Sequence, residues 1–344
     1  MGNQPSTPIQ TCLSTAVGGD GSLVAFSNEP LYQAKDVKPY NLNVPVAPVA
    51  ITYPRTVEQV SEIVKCAADG GYKVQARGGG HSYANHGRLA KMQSNWHIKS
   101  LIRITALGGG DNNTIVVDMK NFQQFSYDPE TQRAKLGAGH RLGDVDDKLH
   151  KAGRAMSHGT CPQVGLSGHA TIGGLGPTSR LWGSALDHVE EVQVVLANSS
   201  VVTASWTENP DLFFAIKGAG ASFGVVTEFT VRTQPEPSEA VQYQYIFDFG
   251  DTSSRAELFK AWQKFISDPK LPREMASQII LSEHSVTVFG TYFGSKKDFE
   301  ALQIETAFPS NQGRNVTVLN DWLAVAAAWA QQSSIDLTGD IPAN

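Results

Sequence analysis

Charged residues are scarce in this sequence, and neither sign dominates. They make up 18% of the 344 residues, against about 25% in an average soluble protein. The 28 basic and 33 acidic residues leave a net charge of −5, so no basic surplus exists to attract nucleic acid or an anionic membrane. No run of eighteen apolar residues is present, and no transmembrane helix is predicted. We therefore expect neither a nucleic-acid partner nor a membrane partner.

Cysteine is rare as well, with only Cys12, Cys66 and Cys161 in the whole chain. The length of 344 residues, enough for about two domains, excludes a small disulfide-stapled scaffold. An odd number of cysteines leaves at least one thiol outside any internal disulfide. The histidines at positions 140, 150 and 158 lack the spacing of a known metal-ligand set, so we expect no metal site. The first twenty residues show neither the basic start nor the apolar run of a secretory signal.

Two common nucleotide-binding fingerprints are missing. The pairs Gly137-x-Gly139 and Gly218-x-Gly220 each reach their next glycine one residue too late for G-x-G-x-x-G, and no G-x-x-x-x-G-K-[ST] exists. This excludes a standard Rossmann dinucleotide site and a P-loop. Glycine is nevertheless frequent, with 32 residues clustered in a few loops. Such loops let backbone amides approach phosphates, which predicts a nucleotide cofactor, although ordinary turns explain any single loop equally well.

Hydrophobic periodicity predicts a chain in which helices and strands alternate. Asn209 and Pro210 predict an N-cap and a first-turn proline for one of the helices. The predicted helices are 57–69, 143–151, 210–216 and 255–266, and the strands are 72–76, 114–119, 134–139, 189–196, 201–205, 225–231, 241–249 and 279–293. The fold class is therefore α+β. Prolines within 234–238 indicate a boundary.

Three ordered motifs carry a family resemblance. They are Arg77-Gly-Gly-Gly-His-Ser-Tyr83, the glycine-rich stretch from Gly159 to Arg180, and Gly218-Ala-Gly-Ala-Ser-Phe-Gly224 with the strand after it. Together they resemble the FAD-linked oxidases of the vanillyl-alcohol oxidase superfamily, in particular the berberine-bridge and glucooligosaccharide oxidase types. The resemblance implies an N-terminal segment (1–45), a PCMH-type FAD-binding domain of two subdomains (46–235), and a partial α+β substrate domain, truncated at its C-terminus (236–344).

The same resemblance implies a flavin bound through two covalent bonds. His81 matches the histidine bonded to the flavin 8α-methyl group, and Cys161 matches the cysteine bonded to ring position six. Further cofactor-binding positions implied are Arg77, Gly78, Gly79, Gly80, Ser82, Gly165, Gly168, His169, Gly173, Gly174 and Val226. A disulfide of the family corresponds to Cys12 with Cys66, and a disulfide implies an oxidising compartment.

The implied activity is oxidation of a hydroxyl carbon in a carbohydrate or another small alcohol, with molecular oxygen reduced to hydrogen peroxide. We expect a small-molecule substrate, a monomer and secretion, although no signal peptide is visible. The family's catalytic base machinery belongs to a segment beyond Asn344, so the catalytic residues stay unknown, and Tyr245, Asp248 and Tyr292 are guesses. The alternative is a non-catalytic, truncated FAD-binding remnant.

One segment differs in composition from its surroundings. Residues 88–105 contain four Lys or Arg, one His and no acidic residue. They separate the loop of residues 77–83, called the His81 loop, from the next predicted strand. Relatives reach that strand after a short glycine-rich link. We interpret the segment as a translated intron, and a genuine basic insert is the alternative.

Overall fold

The computed structural model describes residues 7–83, 85, 113–249, 251–282, 285–310 and 313–332. The atypical segment 88–105 lies outside the described residues. Among those residues, helices and strands alternate along the chain, which confirms the α+β class. None of the described helices is both long and apolar enough to cross a bilayer.

The first sheet places the strand that leads into the His81 loop. The elements from residue 8 to residue 118 are α1 (Pro8–Ala16), β1 (Val24–Phe26), β2 (Ala50–Thr52), α2 (Val57–Gly70), β3 (Lys73–Arg77) and β4 (Thr114–Asp118). The sheet order is β1-β2-β4-β3, and β4 pairs in parallel with both β2 and β3. Helix α2 begins where the Thr56 side chain accepts a hydrogen bond from the Gln59 amide, and Gly71 ends it with a φ of +73°.

The second sheet is antiparallel throughout. The elements here are β5 (Phe125–Asp128), β6 (Arg133–Gly137), α3 (Leu142–His150), β7 (Arg154–Ala155), α4 (Leu166–Ala170), α5 (Ser179–Trp182), α6 (Ala185–His188), β8 (Val189–Val195), β9 (Val201–Ser205), α7 (Pro210–Ala219) and β10 (Val225–Arg232). Its order is β5-β6-β10-β8-β9, and the predicted hairpin joins β8 to β9. Asn209 occupies the expected N-cap position of α7, next to the first-turn Pro210, but its backbone is left-handed and its side-chain amide donates to the Thr203 carbonyl instead of capping the helix.

The third sheet follows the proline-containing stretch. Short strand β11 (Gln234–Pro235) pairs with β7, and the chain continues through β12 (Ala240–Asp248), α8 (Thr252–Ile266), β13 (Met275–Leu281), β14 (Ser285–Tyr292), α9 (Lys296–Ala301), β15 (Gly313–Leu319) and α10 (Trp322–Gln332). This antiparallel sheet has the order β13-β14-β12-β15. The single predicted strand over 279–293 therefore covers the end of β13 and the antiparallel strand β14.

Apolar side chains form one main buried cluster on each side of residue 235, and a smaller cluster joins the two sides through Ala155, Ala240 and Trp322. One buried cluster is shared by the first two sheets, and it includes Ile51, Val116, Leu136 and Phe229. Another lies against the third sheet and is rich in aromatic residues. The predicted domain boundaries at residues 46 and 236 stay predictions.

Candidate flavin site

The His81 loop is anchored by a buried ion pair at its first residue. Arg77 ends β3 opposite Asp118 on the parallel strand β4. Its guanidinium lies 2.6 Å from the Asp118 carboxylate and donates to the carbonyls of Asp36 and Val37. Both charged side chains are about 10% exposed. Arg77 therefore fixes where the loop leaves the sheet, and it does not line the cleft described below.

The His81 loop contacts the loop that carries Cys161 (residues 159–165, called the Cys161 loop), and glycines of both loops form the contact. A Cβ on Gly79 would overlap the backbone of Gly165, and a Cβ on Gly165 would overlap that of Gly79. A Cβ on Gly78 would likewise meet the Ser167 hydroxyl. His81 and Cys161 are 80 residues apart in sequence. Only residues without a side chain permit so close an approach of the two backbones. The loops that carry His81 and Cys161 therefore form one structural unit.

The Cys161 loop is held by backbone hydrogen bonds to the start of α3. The amides of Leu142 and Gly143 donate to the carbonyls of Val164 and Pro162, each at 2.9 Å. Cys161 is half-buried and unpaired. The other two cysteines form the disulfide that joins α1 to α2, with Cα atoms 5.9 Å apart, which confirms the expected Cys12–Cys66 pair.

A cleft of about 410 Å³ opens where the two loops meet the start of β10. Most of the lining is glycine or small apolar side chain, and its walls include nine of the expected cofactor residues. The lining includes Gly78, Gly79, Gly80, His81, Ser82, Gly165, Gly168, His169 and Val226, together with Tyr83, Met119, Thr171, Ile172, Gly220, Ala221 and Gly224. Of the other expected residues, Arg77, Cys161, Gly173 and Gly174 are not among the residues of the wall.

The cleft wall has the chemical character that a dinucleotide requires. A Cβ on Gly168 would meet no protein atom within 4 Å, so its backbone borders open space. Gly80 has a φ of +75°, which only glycine adopts at little cost. This backbone conformation can turn amide N–H groups toward a ligand. Bare backbone donors beside apolar side chains are what a phosphate and a flat ring system require of one site.

His81 is half-buried, and aromatic contacts hold its ring. Its centroid lies 4.7 Å from that of Tyr40, and Tyr40 in turn contacts Tyr83 edge-on. Burial, and then the positive charge of Arg141, lower the pKa of His81 below its ordinary value. The imidazole is therefore neutral near pH 7, with a free electron pair on one nitrogen.

Tyr40 is a site residue that the sequence patterns missed. It belongs to the expected N-terminal segment, which returns to the His81 loop through Asn41 and Asn85. The Asn41 side-chain amide donates to the Tyr83 carbonyl at 2.6 Å, and that of Asn85 donates to the Asn41 carbonyl at 2.6 Å. No local pattern marks Tyr40, because its role depends on contacts about forty residues away in sequence.

The three histidines considered as metal ligands each bond to a different group. His140 bonds to the Gln124 carbonyl, His150 to the Glu236 carboxylate and His158 to the Asp146 carboxylate. Asp146 and His158 also border a second cavity of about 390 Å³ between the Cys161 loop and α10. The guessed bases lie elsewhere: Tyr245 and Tyr292 are buried in the core of the third sheet, and Asp248 is exposed near its end.

Comparison with known proteins agrees with a flavin-binding fold. The sequence model of the FAD binding domain matches residues 93–205. An FAD-linked oxidoreductase, sorD, of Penicillium rubens is 42% identical over 306 residues, which cover 89% of this chain and 60% of that protein. The chain therefore spans less than two thirds of the length of this curated relative.

Two solved structures show the same architecture. A BBE-like 1 variant of Physcomitrella patens superposes with a TM-score of 0.78 at 32% identity, over 96% of this chain and 68% of that one. A glucooligosaccharide oxidase of Acremonium strictum, described with a 6-S-cysteinyl, 8α-N1-histidyl FAD, gives a TM-score of 0.79 at 27% identity, over 97% and 65%. The chain belongs to the family of FAD-linked oxidoreductases that contains the berberine-bridge-enzyme-like and glucooligosaccharide oxidases.

Proposed function

We propose that the protein is an FAD-linked oxidase whose flavin is bonded to both His81 and Cys161. In this proposal it oxidises a hydroxyl carbon of a carbohydrate or a similar small alcohol, and oxygen is reduced to hydrogen peroxide. The observation that carries the proposal is the contact between Gly79 and Gly165, which joins the His81 loop and the Cys161 loop beside one glycine-lined cleft. The solved relative with a cysteinyl, histidyl FAD supports the double attachment.

The two attachment residues have the reactivity that covalent attachment requires. A neutral imidazole is a nucleophile, and the lowered pKa of His81 keeps it neutral near pH 7. Cys161 is the unpaired thiol of the chain and is partly accessible, as a reacting thiol must be. Tyr40 packs on the His81 ring and restricts its rotation, so that the imidazole is oriented before the cofactor arrives.

The remaining residues would hold the cofactor along the cleft. Gly78, Gly79, Gly80 and Ser82 would bind the pyrophosphate, Gly165, Gly168 and His169 would line the flavin, and Val226 would lie near the adenine. Arg77, Gly173 and Gly174 would act indirectly, by shaping the loops. Bound FAD supplies the capacity to accept two electrons and pass them to oxygen, and the protein supplies positioning and electrostatics.

The substrate class rests on the relatives. The Acremonium strictum neighbour is named as a glucooligosaccharide oxidase, and we propose an oligosaccharide or another hydroxylated small molecule here. We also propose a secreted monomer, and the Cys12–Cys66 disulfide supports the oxidising compartment.

Intact mass and visible absorbance of the acid-precipitated protein test the proposal. We expect a mass raised by one FAD and a coloured pellet. His81→Ala and Cys161→Ala should each keep one bond to the flavin, and only the double variant should release all colour on precipitation. His150→Gln, which changes a histidine away from the cleft, is the control and should show the same mass increase of one FAD as the wild type.

A colourless pellet with the mass of the bare chain would contradict covalent flavin binding and support the non-catalytic alternative. If the flavin is present, peroxide release is measured with gluco- and xylo-oligosaccharides. A flavin-loaded protein that releases no peroxide with any hydroxylated substrate would contradict the oxidase proposal and leave the cofactor assignment intact.

A further inference from the structure

A chain of buried hydrogen bonds runs from α10 to the wall of the cleft. The indole N–H of Trp322 donates to Oδ1 of Asp146 at 3.1 Å, and Nε2 of His158 lies 2.9 Å from the same oxygen. Nδ1 of His158 lies 2.8 Å from the Gly159 carbonyl, and the Gly159 N–H donates to Nε2 of His169 at 2.9 Å. Asp146, His158 and Trp322 are each at most 7% exposed, whereas His169 lines the cleft.

The partners of His158 require a proton on both ring nitrogens. A backbone carbonyl only accepts hydrogen bonds, so Nδ1 must be a donor. Nε2 faces a carboxylate oxygen that already accepts the Trp322 indole proton, so this nitrogen is a donor as well. Burial by itself would lower the pKa of His158, but the charge and hydrogen bond of Asp146 outweigh it, and the pKa is raised. His158 is therefore an imidazolium paired with Asp146.

The partners of His169 require the opposite state. Its Nε2 accepts the Gly159 N–H, so that nitrogen carries no proton, and the proton of the neutral ring is on Nδ1. Burial and the nearby charge of His158 lower the pKa of His169 to about 4. The ring is also confined, because a Cβ on Gly174 would contact its edge at 2.7 Å and one on Gly159 at 3.0 Å. Within the described part of the chain, no protein group accepts a hydrogen bond from Nδ1.

We propose that Asp146 and His158 are positioning residues for His169. They hold Gly159 so that its N–H occupies Nε2 of His169, which leaves His169 neutral with its proton on Nδ1, as a hydrogen-bond donor for the cofactor in the cleft. This inference rests on the proposed function, since it assigns His169 a partner in the flavin. It also explains a buried charge pair beside the second cavity, since such a pair is costly unless each member is fully hydrogen-bonded.

Among the described residues, few titratable groups act on the His158 and His169 rings. Asp146 on α3 faces His158, and the charge of His158 acts on both His169 and His188. Nε2 of His188 carries no proton and accepts the Ser157 N–H, and Nδ1 of the same ring donates to the Arg232 carbonyl. Asp146 is therefore the carboxylate that decides the charge of His158.

Long-range proton–nitrogen NMR of the imidazole rings tests the proposal on the purified full chain. His158→Gln and His169→Gln assign the two sets of signals among the nine histidines of the chain. We expect His158 to show two protonated nitrogens, and His169 to show one protonated Nδ1 with no titration between about pH 8 and pH 5.5. A protonated Nε2 on His169, or a neutral His158 at pH 7, would overturn the proposal without any variant.

Two variants separate charge from position. Asp146→Asn keeps the shape of the carboxylate but removes its charge, so His158 becomes neutral and the pKa of His169 rises, by about one unit at most because burial, the larger cause, remains. In His158→Gln the Gly159 carbonyl loses its charged donor, and we expect signals of both His169 tautomers. His150→Gln is the matched control: it lies on α3 four residues after Asp146 and bonds to Glu236, so the His169 signals should not move.

These readouts do not depend on turnover. If the acid-precipitated protein carries no flavin but the imidazole signals are as expected, the proposed function is wrong, while the hydrogen-bond network around His169 is supported. If flavin is present and Asp146→Asn leaves the tautomer and pKa of His169 unchanged, the positioning role is wrong and the function stands. Comparison of loaded and flavin-free protein should show a shift of the His169 Nδ1–H signal, and an unchanged signal would contradict its role as a donor to the cofactor.

Discussion

Gly79 and Gly165 lie backbone to backbone, so that neither position has room for a Cβ. This contact fixes the distance between the His81 loop and the Cys161 loop before any cofactor is present. A site with two covalent attachment points needs such a fixed distance, because both reacting atoms must reach one rigid ring. Preorganisation of this kind reduces the ordering that binding would otherwise require.

Alanine at either glycine should therefore separate the loops. We expect Gly79→Ala and Gly165→Ala each to lower the free energy of unfolding by about 1–3 kcal/mol, the usual cost of overpacking. Both should also reduce the fraction of protein with two flavin bonds. Chemical denaturation and pellet absorbance measure the two effects.

Gly168→Ala is the matched control, because a Cβ there meets no protein atom within 4 Å. Gly168→Ala should not lower the free energy of unfolding. Its added methyl group should narrow the cleft and so lower the fraction of protein that carries flavin. Equal destabilisation by all three variants would contradict a specific contact between Gly79 and Gly165.

The buried Arg77–Asp118 pair predicts a large loss of stability when one partner is removed. Arg77→Ala leaves the Asp118 carboxylate buried without its cation and removes the donor to two carbonyls. Breaking a buried pair in this way costs about 3–5 kcal/mol. Urea denaturation of the variant measures the loss. Arg55→Ala is the control, since its partner Asp20 is solvent-exposed, and it should have little effect; similar losses in both variants would argue against the anchoring role of Arg77.

Sequence reasoning found the loops of the site because glycine patterns and strand periodicity are local signals. The helix at α2, the hairpin of β8 and β9 and the Cys12–Cys66 pair agree with the structure. The hydrogen bonds that join Asp146 to His158 and to Trp322 were not found, since periodicity gives no partner for a buried polar side chain, and Trp322 lies 176 residues from Asp146 in sequence. Histidine spacing argued against a metal site at His158 but gave no partner for it, where the structure shows the Asp146 carboxylate. Such contacts depend on how α10 packs on α3, which periodicity does not reveal.

The disulfide between α1 and α2 should contribute much of the stability of the N-terminal segment. It closes a loop with a sequence separation of 54, for which loss of unfolded-state entropy predicts about 4 kcal/mol. We expect the double variant Cys12→Ser, Cys66→Ser to show that loss in denaturation experiments, and reductant to have the same effect on the wild type. Cys161→Ser should stay as sensitive to reductant as the wild type, and an insensitive wild type would show that the bond does not form.

The pH dependence of flavin attachment should follow the charge state of His81. Attachment needs the neutral imidazole, and burial together with Arg141 lowers the pKa of His81. The His81 ring is therefore fully neutral at any pH above the ordinary histidine pKa. As the pH falls, it becomes protonated only at a lower pH than a free histidine does. Arg141→Gln removes the smaller of the two causes, so the pH at half-maximal attachment should rise, by less than about one unit because burial remains. The rate of covalent FAD incorporation into flavin-free protein, measured against pH, gives this midpoint. Lys148→Gln, which removes a cation near His140 rather than His81, should leave the midpoint in place, and a midpoint that moves downward in Arg141→Gln would contradict the neutral-imidazole requirement.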